Sequence, residues 1–465
     1  MSQLEYQTAY RAEGGLLYMK QVPGVAYGDH VLVRDRLGNI RNGQVIRTSN
    51  ELVLIQVLES TSDLSLENTW ARFLDEQFRL ALSPDVLCRV FIGIGKPRDG
   101  RPPIVSEYDF DINGSAMNPA ARSYPKEFIQ TGISTIDGLN SLVRGQKLPI
   151  FSGSGLPHNR LLAQIVRQVK LLGEETEFSI VFAAMGISHS DAHFFESDCE
   201  NNGVLCNVVM YLNHADDPPL ERLSLPRAAL TAAEYLAFEL DRHVLVLMTD
   251  MTNYAEALRE VATAKGDVPT RKGYPGYLYS DLAEIYERSG RIEGRSGSIT
   301  LVPVVSMPSD DITHPIPDLT GYITEGQIVL SRELHNAGIY PPVNVLPSLS
   351  RLMKDGIGKN DTREDHPRVS SQLYSLYAKS QEVRNLASII GKEELSQMDQ
   401  RYLQFADEFD RNFVGQSEEE DRSIEDTLMI AWDLLSYFPA ESLIRVSEED
   451  VKTWHQRKRD VIAEK

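Results

Sequence analysis

The chain has 465 residues, of which 42% are hydrophobic and 25% charged, a composition typical of a soluble globular protein with about three domains. Its formal net charge of -20 and pI of about 5.0 disfavour a nucleic-acid groove or an anionic membrane surface as the main partner. The three cysteines lack metal-ligand spacing, which predicts a reducing compartment. No signal pattern and no apolar run of roughly 18 residues is present, so we expect any membrane role to be peripheral.

The N-terminal part reads as β-structure. Short runs of alternating or β-branched residues occupy His30–Arg34, Ile40–Thr48 and Leu52–Leu58, with turn sequences between them. This pattern predicts a small antiparallel β-barrel over residues 1–75, and we find no chemistry in it.

A glycine-rich turn lies at the centre of the chain. The apolar run Lys147–Phe151 leads into it, and a helical pattern, Arg160–Leu172, follows it. Strand, glycine-rich turn and helix form the layout of a phosphate-binding loop. The residues that give this layout, and that could contact a phosphate weakly, are Ser152, Gly153, Gly155, His158 and Asn159.

The turn lacks the groups that a working phosphate-binding loop needs. Where Gly-Lys-Thr is required, the chain has Pro157-His158-Asn159. Pro157 removes an N–H donor, and His158 is shorter than lysine and mostly neutral at pH 7. We predict that His158 makes only local hydrogen bonds. Two interpretations follow: a nucleotide site that has lost its chemistry, or an ordinary turn that never bound phosphate.

Strands and helices alternate from Lys147 to about Ser331, which favours a mostly parallel sheet covered by helices on both faces. The strand Val244–Thr249 ends at Asp250, for which we expect a structural role rather than a metal-binding one. The other predicted strands are Ser179–Met185, Leu205–Tyr211, Ser298–Val305 and Gln327–Leu330, and the other predicted helices are Asp191–Cys199, Arg227–Leu240, Tyr254–Ala264 and Tyr277–Ser289.

From about Leu346 the pattern becomes helical. Two amphipathic stretches end at Gly391 and Gly415, and Ser447 and Asp450 form a capping-box pattern before a last short helix. The fold class is therefore α/β, with an N-terminal antiparallel β-barrel, a central P-loop-type parallel-sheet domain and a C-terminal α-helical bundle.

Three further stretches carry a family resemblance. They are Glu127–Ser134 with Ile136-Asp137-Gly138, Asp250–Glu260, and Pro341–Ser350. Together they fit the signature of the large ring subunits of rotary ATPases, and the whole chain resembles the B subunits of V-type and archaeal-type (V/A) ATPases, with the length of the prokaryotic form. The resemblance implies domains at residues 1–75, 76–345 and 346–465: a barrel, a nucleotide-binding-type domain with a degenerate loop, and a helical bundle.

The resemblance also implies a function within a hetero-hexameric ring. B subunits alternate with catalytic A subunits, and the ring couples ATP hydrolysis or synthesis to proton or sodium transport. ATP or ADP with magnesium would be bound mainly by the A subunit, and no metal site is expected in this chain. Ile187 stands where catalytic relatives have a glutamate, so this chain should not be catalytic alone.

Arg351 directly follows the third stretch and matches the family's arginine finger. A permanently charged guanidinium can stabilise the transferring phosphoryl group across a subunit interface. The alternative is that Arg351 pairs with a neighbouring carboxylate and has no role in the reaction.

Other contacts are expected with the stalks of the complex. The loop Gly391–Gln397 resembles the loop that faces the central stalk in related subunits, although it could also be a solvated turn. The resemblance also implies peripheral-stalk partners, a cytoplasmic location on the membrane face through the assembled complex, and no membrane insertion.

Three other functions compete with this one. A self-sufficient ATPase is disfavoured by the loop without lysine and by Ile187. A hexameric nucleic-acid motor is disfavoured by the acidic charge and the absence of a basic, aromatic-rich groove. A purely structural ring spacer would tolerate any change at Arg351.

Overall fold

A computed structural model describes residues 4–455 except 21, 50, 62–63, 107–108, 172–177 and 360. The chain divides into two compact units. The first comprises residues 1–120, 179–289 and 294–299, and the second comprises residues 121–178, 290–293 and 300–465.

The first unit begins with a curled, seven-stranded antiparallel sheet. Buried valines alternate with partly exposed residues along its strands, as in Asp29–Arg34, so that one face encloses an apolar core. This confirms the predicted barrel-type domain. The strand order across the sheet is Glu5–Tyr6, Trp70–Gln77, Asp29–Arg34, Ile40–Thr48, Leu52–Val57, Leu16–Lys20 and Ala9–Glu13. A separate two-stranded sheet pairs Arg79–Ala81 with Asp109–Asp111.

The rest of the first unit has α/β structure. Its strands are almost wholly buried, as expected of a sheet covered on both faces. The strand order is Arg89–Phe91, Val208–His214, Phe178–Ile187 and His243–Thr249, and the first three are parallel. The helices are His189–Asn201, Pro219–Glu234 with a π-helical continuation over Tyr235–Glu239, Met251–Lys265 and Leu278–Tyr286.

In the second unit, the strand of the glycine-rich turn lies between two parallel neighbours. Ile150–Gly153 pairs with Ser298–Met307 and with Gly326–Leu330. An antiparallel strand, Val343–Ser350, follows Gly326–Leu330. A three-stranded sheet joins Leu142–Val143, Phe128–Gln130 and Lys170–Leu171, and Gly290–Arg291 is a further short strand. The helices are Ser134–Asp137, His158–Gln168, Pro315–Ile323 and Arg332–Asn336.

The C-terminal region is helical, as predicted. An aromatic cluster that includes Tyr377, Phe405, Phe409 and Phe413 fills its core. Gly391 and Gly415 are the residues at which the two predicted helices end, and Ser447 and Asp450 form the predicted capping box. The helices are Met353–Gly356, His366–Ile390, Gln397–Glu408 with a π-helical continuation over Phe409–Val414, Ile424–Leu435, and Glu448–Asp450 with a π-helical continuation over Val451–His455.

Three local predictions were wrong. Leu346 does not begin the helical region, because it lies inside the strand Val343–Ser350. Residues 205–207 form a helical turn before their strand begins at Val208. The predicted helix Arg160–Leu172 ends at Gln168, and its last residue, Leu172, lies outside the described residues.

Candidate functional site

The glycine-rich turn has the predicted position between a strand and a helix. The strand Ile150–Gly153 is fully buried, and the helix His158–Gln168 follows the turn directly. Gly155 has a φ of +77°, a backbone conformation that glycine adopts without strain. The imidazole Nδ1 of His158 lies 3.0 Å from the Ser152 hydroxyl, so the predicted local hydrogen bonding of His158 is present.

An ion pair fills the space next to this turn. Arg332 donates to both carboxylate oxygens of Asp310, at 2.6 and 2.8 Å, and also to the carbonyl oxygen of Ser154 at 2.8 Å. A Cβ atom on Gly153 would lie 2.0 Å from a carboxylate oxygen of Asp310. The carboxylate of Asp310 therefore lies directly against Gly153.

The residues present do not fit a magnesium–nucleotide complex. Hydrogen bonding to Arg332 lowers the pKa of the Asp310 carboxyl, which stays ionised at neutral pH. A carboxylate beside the turn repels phosphate, and the chain places neither a lysine nor a hydroxyl residue at positions 158 and 159. We therefore derive no reaction step through this turn. Sequence reasoning missed Asp310 and Arg332, whose distance along the chain from Gly153 gives no local signal.

Two positions considered from the sequence, Asp250 and Ile187, lie directly after a strand and at the end of a strand. The Asp250 carboxylate accepts a hydrogen bond from the backbone N–H of Thr252 at 2.9 Å and caps the helix Met251–Lys265. Ile187, at the end of its strand, is buried and apolar. An isoleucine side chain has no group that could act as a general base for water.

Arg351 stands immediately after the edge strand Val343–Ser350. Its backbone N–H donates to the carbonyl oxygen of Glu325 at 2.9 Å, and the residue is exposed. Within the described ranges, no side-chain hydrogen bond or ion pair is recorded for its guanidinium group. The alternative that Arg351 is held by a neighbouring carboxylate of its own chain therefore finds no support.

A groove of about 1320 Å³ opens beside Arg351. Its lining includes four cationic side chains, those of Arg351, Lys354, Lys379 and Arg445, and one acidic side chain, that of Glu382, which pairs with Lys379 at 2.7 Å. In a chain with a net charge of -20, this groove is a local region of positive charge. It is suited to an anionic group presented from outside the chain.

The loop Gly391–Gln397 exposes charged side chains, and an apolar side chain is exposed next to it. Leu395 is buried against Val383 and Ala387, which anchors the loop to the helix before it. The turn Lys392–Glu394 is exposed, and Ile389, in the last turn of that helix, is 81% exposed. The loop is thus a firmly attached turn with an apolar side chain in solvent beside it.

Three family models match consecutive parts of the chain. The beta-barrel domain of the ATP synthase alpha/beta family matches residues 10–74, its nucleotide-binding domain matches residues 132–350, and the C-terminal domain of V and A type ATP synthase matches residues 355–455. The chain belongs to the ATP synthase alpha/beta family, in its V/A-type branch.

Individual relatives agree with the family models. The chain is 71% identical over 456 residues to a V-type ATP synthase beta chain from Nitrosococcus oceani, covering 98% of this chain and 95% of that one. It also matches the structure of an ATP synthase subunit, NeqB, from Nanoarcheaum equitans, with a TM-score of 0.73, 41% identity, and coverage of 91% of this chain and 100% of that chain. The predicted resemblance is confirmed.

The family assignment also confirms the architecture and the general function. The chain is a B-type subunit of a V/A-type rotary ATPase, in which a nucleotide-binding domain stands between a barrel domain and a helical domain. Among the described residues, no helix is long and apolar enough to cross a membrane, and no group of three or more His, Cys, Asp or Glu side chains could hold a metal ion.

Proposed function

We propose that this subunit completes the ATP site of a catalytic A subunit by donating Arg351 in trans, and that it carries out no ATP chemistry at its own glycine-rich turn. ATP with magnesium is then the substrate of the assembled ring and is held mainly by the A subunit. The Arg351 guanidinium would stabilise the charge that develops on the transferring phosphoryl group. A finger supplied in trans contributes on the order of 10³–10⁵ in rate in other nucleotide hydrolases.

The proposal rests on the surroundings of the Arg351 side chain. The residue is exposed at the end of a strand, has no recorded side-chain partner among the described residues, and lies in a groove with four cationic side chains. A guanidinium that only stabilised the fold would be expected to pair within its own chain. The Asp310–Arg332 pair supports the second half of the proposal, because it puts a carboxylate next to Gly153 of the glycine-rich turn.

The remaining parts of the proposal concern the assembly. A domain boundary at 75/76 separates the barrel from the nucleotide-binding-type domain, and we move the predicted boundary at 345/346 to the end of the strand Val343–Ser350, before the helical bundle. The loop Gly391–Gln397 contacts the central stalk, and Ile389 offers it an apolar contact. Peripheral-stalk subunits hold the ring on the cytoplasmic face of the membrane, where ATP turnover is coupled to proton or sodium transport.

The test is ATP hydrolysis by this chain assembled with its catalytic partner. We expect Arg351→Ala to lower kcat by about three orders of magnitude or more, with the ring still assembled. Arg351→Lys should recover little of this loss, because an ammonium group lacks the planar fork of the guanidinium. The matched control is Arg445→Ala, which removes a cation of the same groove that bonds to Ser371 and should leave most of the activity.

Other results would select another function. Unchanged turnover in the Arg351→Ala ring would make the subunit a structural spacer. Substantial turnover by the isolated chain would mean that the glycine-rich turn is catalytic, and salt-sensitive RNA binding would favour a nucleic-acid motor.

A further inference from the structure

Arg351 is attached to the fold by a buried network, and the centre of this network is Gln146. Gln146 is fully buried in the turn after the short strand Leu142–Val143. Its Nε2 donates to two acceptors, the hydroxyl oxygen of Ser350 at 2.9 Å and the carbonyl oxygen of Glu325 at 3.2 Å. These are the residue before Arg351 and the residue that accepts the Arg351 backbone N–H.

The amide of Gln146 has one orientation that satisfies its partners. Its Oε1 accepts from the backbone N–H of Val143 at 3.0 Å, and a backbone N–H can only donate. Its Nε2 faces the carbonyl of Glu325, which can only accept. The Ser350 hydroxyl gives its proton to the carbonyl of Ser141 at 2.8 Å and so accepts from Gln146. Every donor and acceptor in the network has a defined role.

The neighbouring residue fixes the other side of the network. The backbone N–H and the ammonium of Lys147 each contact the carboxylate of Glu325 at 2.8 Å, and Lys147 is buried. Gln146 and Lys147 therefore hold Glu325 and Ser350 together, and Arg351 leaves the fold from that point. The guanidinium of an arginine lies several bonds away from its Cα, so a change in the direction of the backbone at Arg351 moves the guanidinium in proportion to the length of the side chain.

We infer that Gln146 is the positioning residue for the Arg351 finger, an inference that rests on the proposed function. Gln146 does not touch the substrate. It fixes the backbone from which Arg351 reaches into the partner's site, and it does so through the Ser350 hydroxyl and the Glu325 carbonyl.

The experiment is a double-mutant cycle in the assembled complex. Gln146→Met keeps the volume of the side chain and removes its hydrogen bonds. We expect it to lower kcat about 10- to 100-fold, because small misplacements of a catalytic group cost factors of this size, while KM for ATP changes less than about twofold. In the Arg351→Ala background the same substitution should have no further effect on kcat.

The control is a glutamine that is equally buried in the same unit. Gln164 donates to the carbonyls of Ser417 and Glu420 and accepts from the Tyr340 hydroxyl. Gln164→Met should lower the melting temperature as Gln146→Met does, with little change in kcat. A second variant, Ser350→Ala, removes the acceptor on the other side and should reproduce the kcat loss.

The outcomes separate this inference from the proposed function. If Arg351→Ala has no effect on kcat, the proposed function fails. If Arg351→Ala lowers kcat but Gln146→Met is neutral, or if its effect is multiplied in the Arg351→Ala background, Gln146 does not act through Arg351. Equal kcat losses in the Gln146 and Gln164 variants, or failure of both Gln146→Met and Ser350→Ala rings to assemble, would also overturn the inference.

Discussion

His366 links the first long C-terminal helix to the central domain, and its protonation should weaken the fold. The residue is fully buried at the start of the helix His366–Ile390. Its Nε2 lies 3.0 Å from the carbonyl of Gly138, and its Nδ1 lies 3.0 Å from the Thr362 hydroxyl. Since a carbonyl only accepts, Nε2 carries the proton of the neutral ring and Nδ1 accepts from Thr362.

Burial lowers the pKa of His366 from 6.5 to about 4. Arg363 and the positive end of the helix also disfavour the charged ring, whereas the Gly138 carbonyl and Asp365 favour it. A folded-state pKa below the unfolded one gives stability that is complete above the unfolded pKa and is lost as pH falls toward the folded pKa. At 1.36 kcal/mol per pKa unit, the free energy of unfolding should fall by about 2 kcal/mol between pH 7 and pH 5 through this residue.

The measurement is the urea-unfolding free energy of the wild type and of His366→Gln between pH 7 and pH 5. The wild-type curve should fall more steeply by the calculated amount, because the variant lacks the titrating ring. The Arg368–Asp450 pair does not interfere: hydrogen bonding to Arg368 lowers the pKa of Asp450 to about 2, so its contribution is lost only below this range. Parallel curves for the two proteins would refute the reasoning.

Further substitutions test the surroundings of Arg351 and of the glycine-rich turn. Gly326 has a φ of +142°, and a Cβ there would lie 2.0 Å from the Leu349 carbonyl oxygen, so Gly326→Ala should lower the unfolding free energy by about 1–3 kcal/mol in denaturation experiments. Gly338→Ala, at a positive φ with open space around it, is the control and should cost less. Asp310→Ala should raise the affinity of the isolated chain for inorganic phosphate in calorimetry, and Arg332→Ala should lower it; changes of the same sign would contradict the assigned roles.

Secondary-structure elements with a clear local sequence pattern could be predicted, whereas elements without such a pattern could not. Periodicity identified Ile40–Thr48 to the residue, because alternation and flanking turns are local properties. The strand Val343–Ser350 was not predicted, since Pro347 and the exposed Leu349 interrupt its pattern at an edge of the sheet. The helices Pro315–Ile323 and Arg332–Asn336 were missed, the first because of its prolines and the second because of its length.

The residues of the candidate site that lie within or next to a continuous sequence motif could be predicted. Pro157-His158-Asn159 and Arg351 each stand at a defined place next to a signature, so the absence of a lysine and the presence of an arginine can be read directly. Asp310 and Gln146 could not be recognised in this way. Each acts on a residue far away in the chain, and the hydrogen bonds that define their roles exist only after the strands have paired.

Arg332 at the glycine-rich turn and Arg351 at the end of the edge strand differ in whether the positive charge of the guanidinium is neutralised within the chain. At the glycine-rich turn, Arg332 forms an ion pair with Asp310 and a hydrogen bond to the Ser154 carbonyl, so its charge is neutralised within the chain. At the end of the edge strand, the backbone of Arg351 is held by Glu325, while no partner of its guanidinium is recorded in the part of the chain that the structure describes. A cation that stabilises a transition state must be fixed in place and still lack a permanent counter-ion. Of these two arginines, only Arg351 has its backbone held by the fold and its guanidinium without a partner in the described residues, which supports the proposal that it acts at the partner's site.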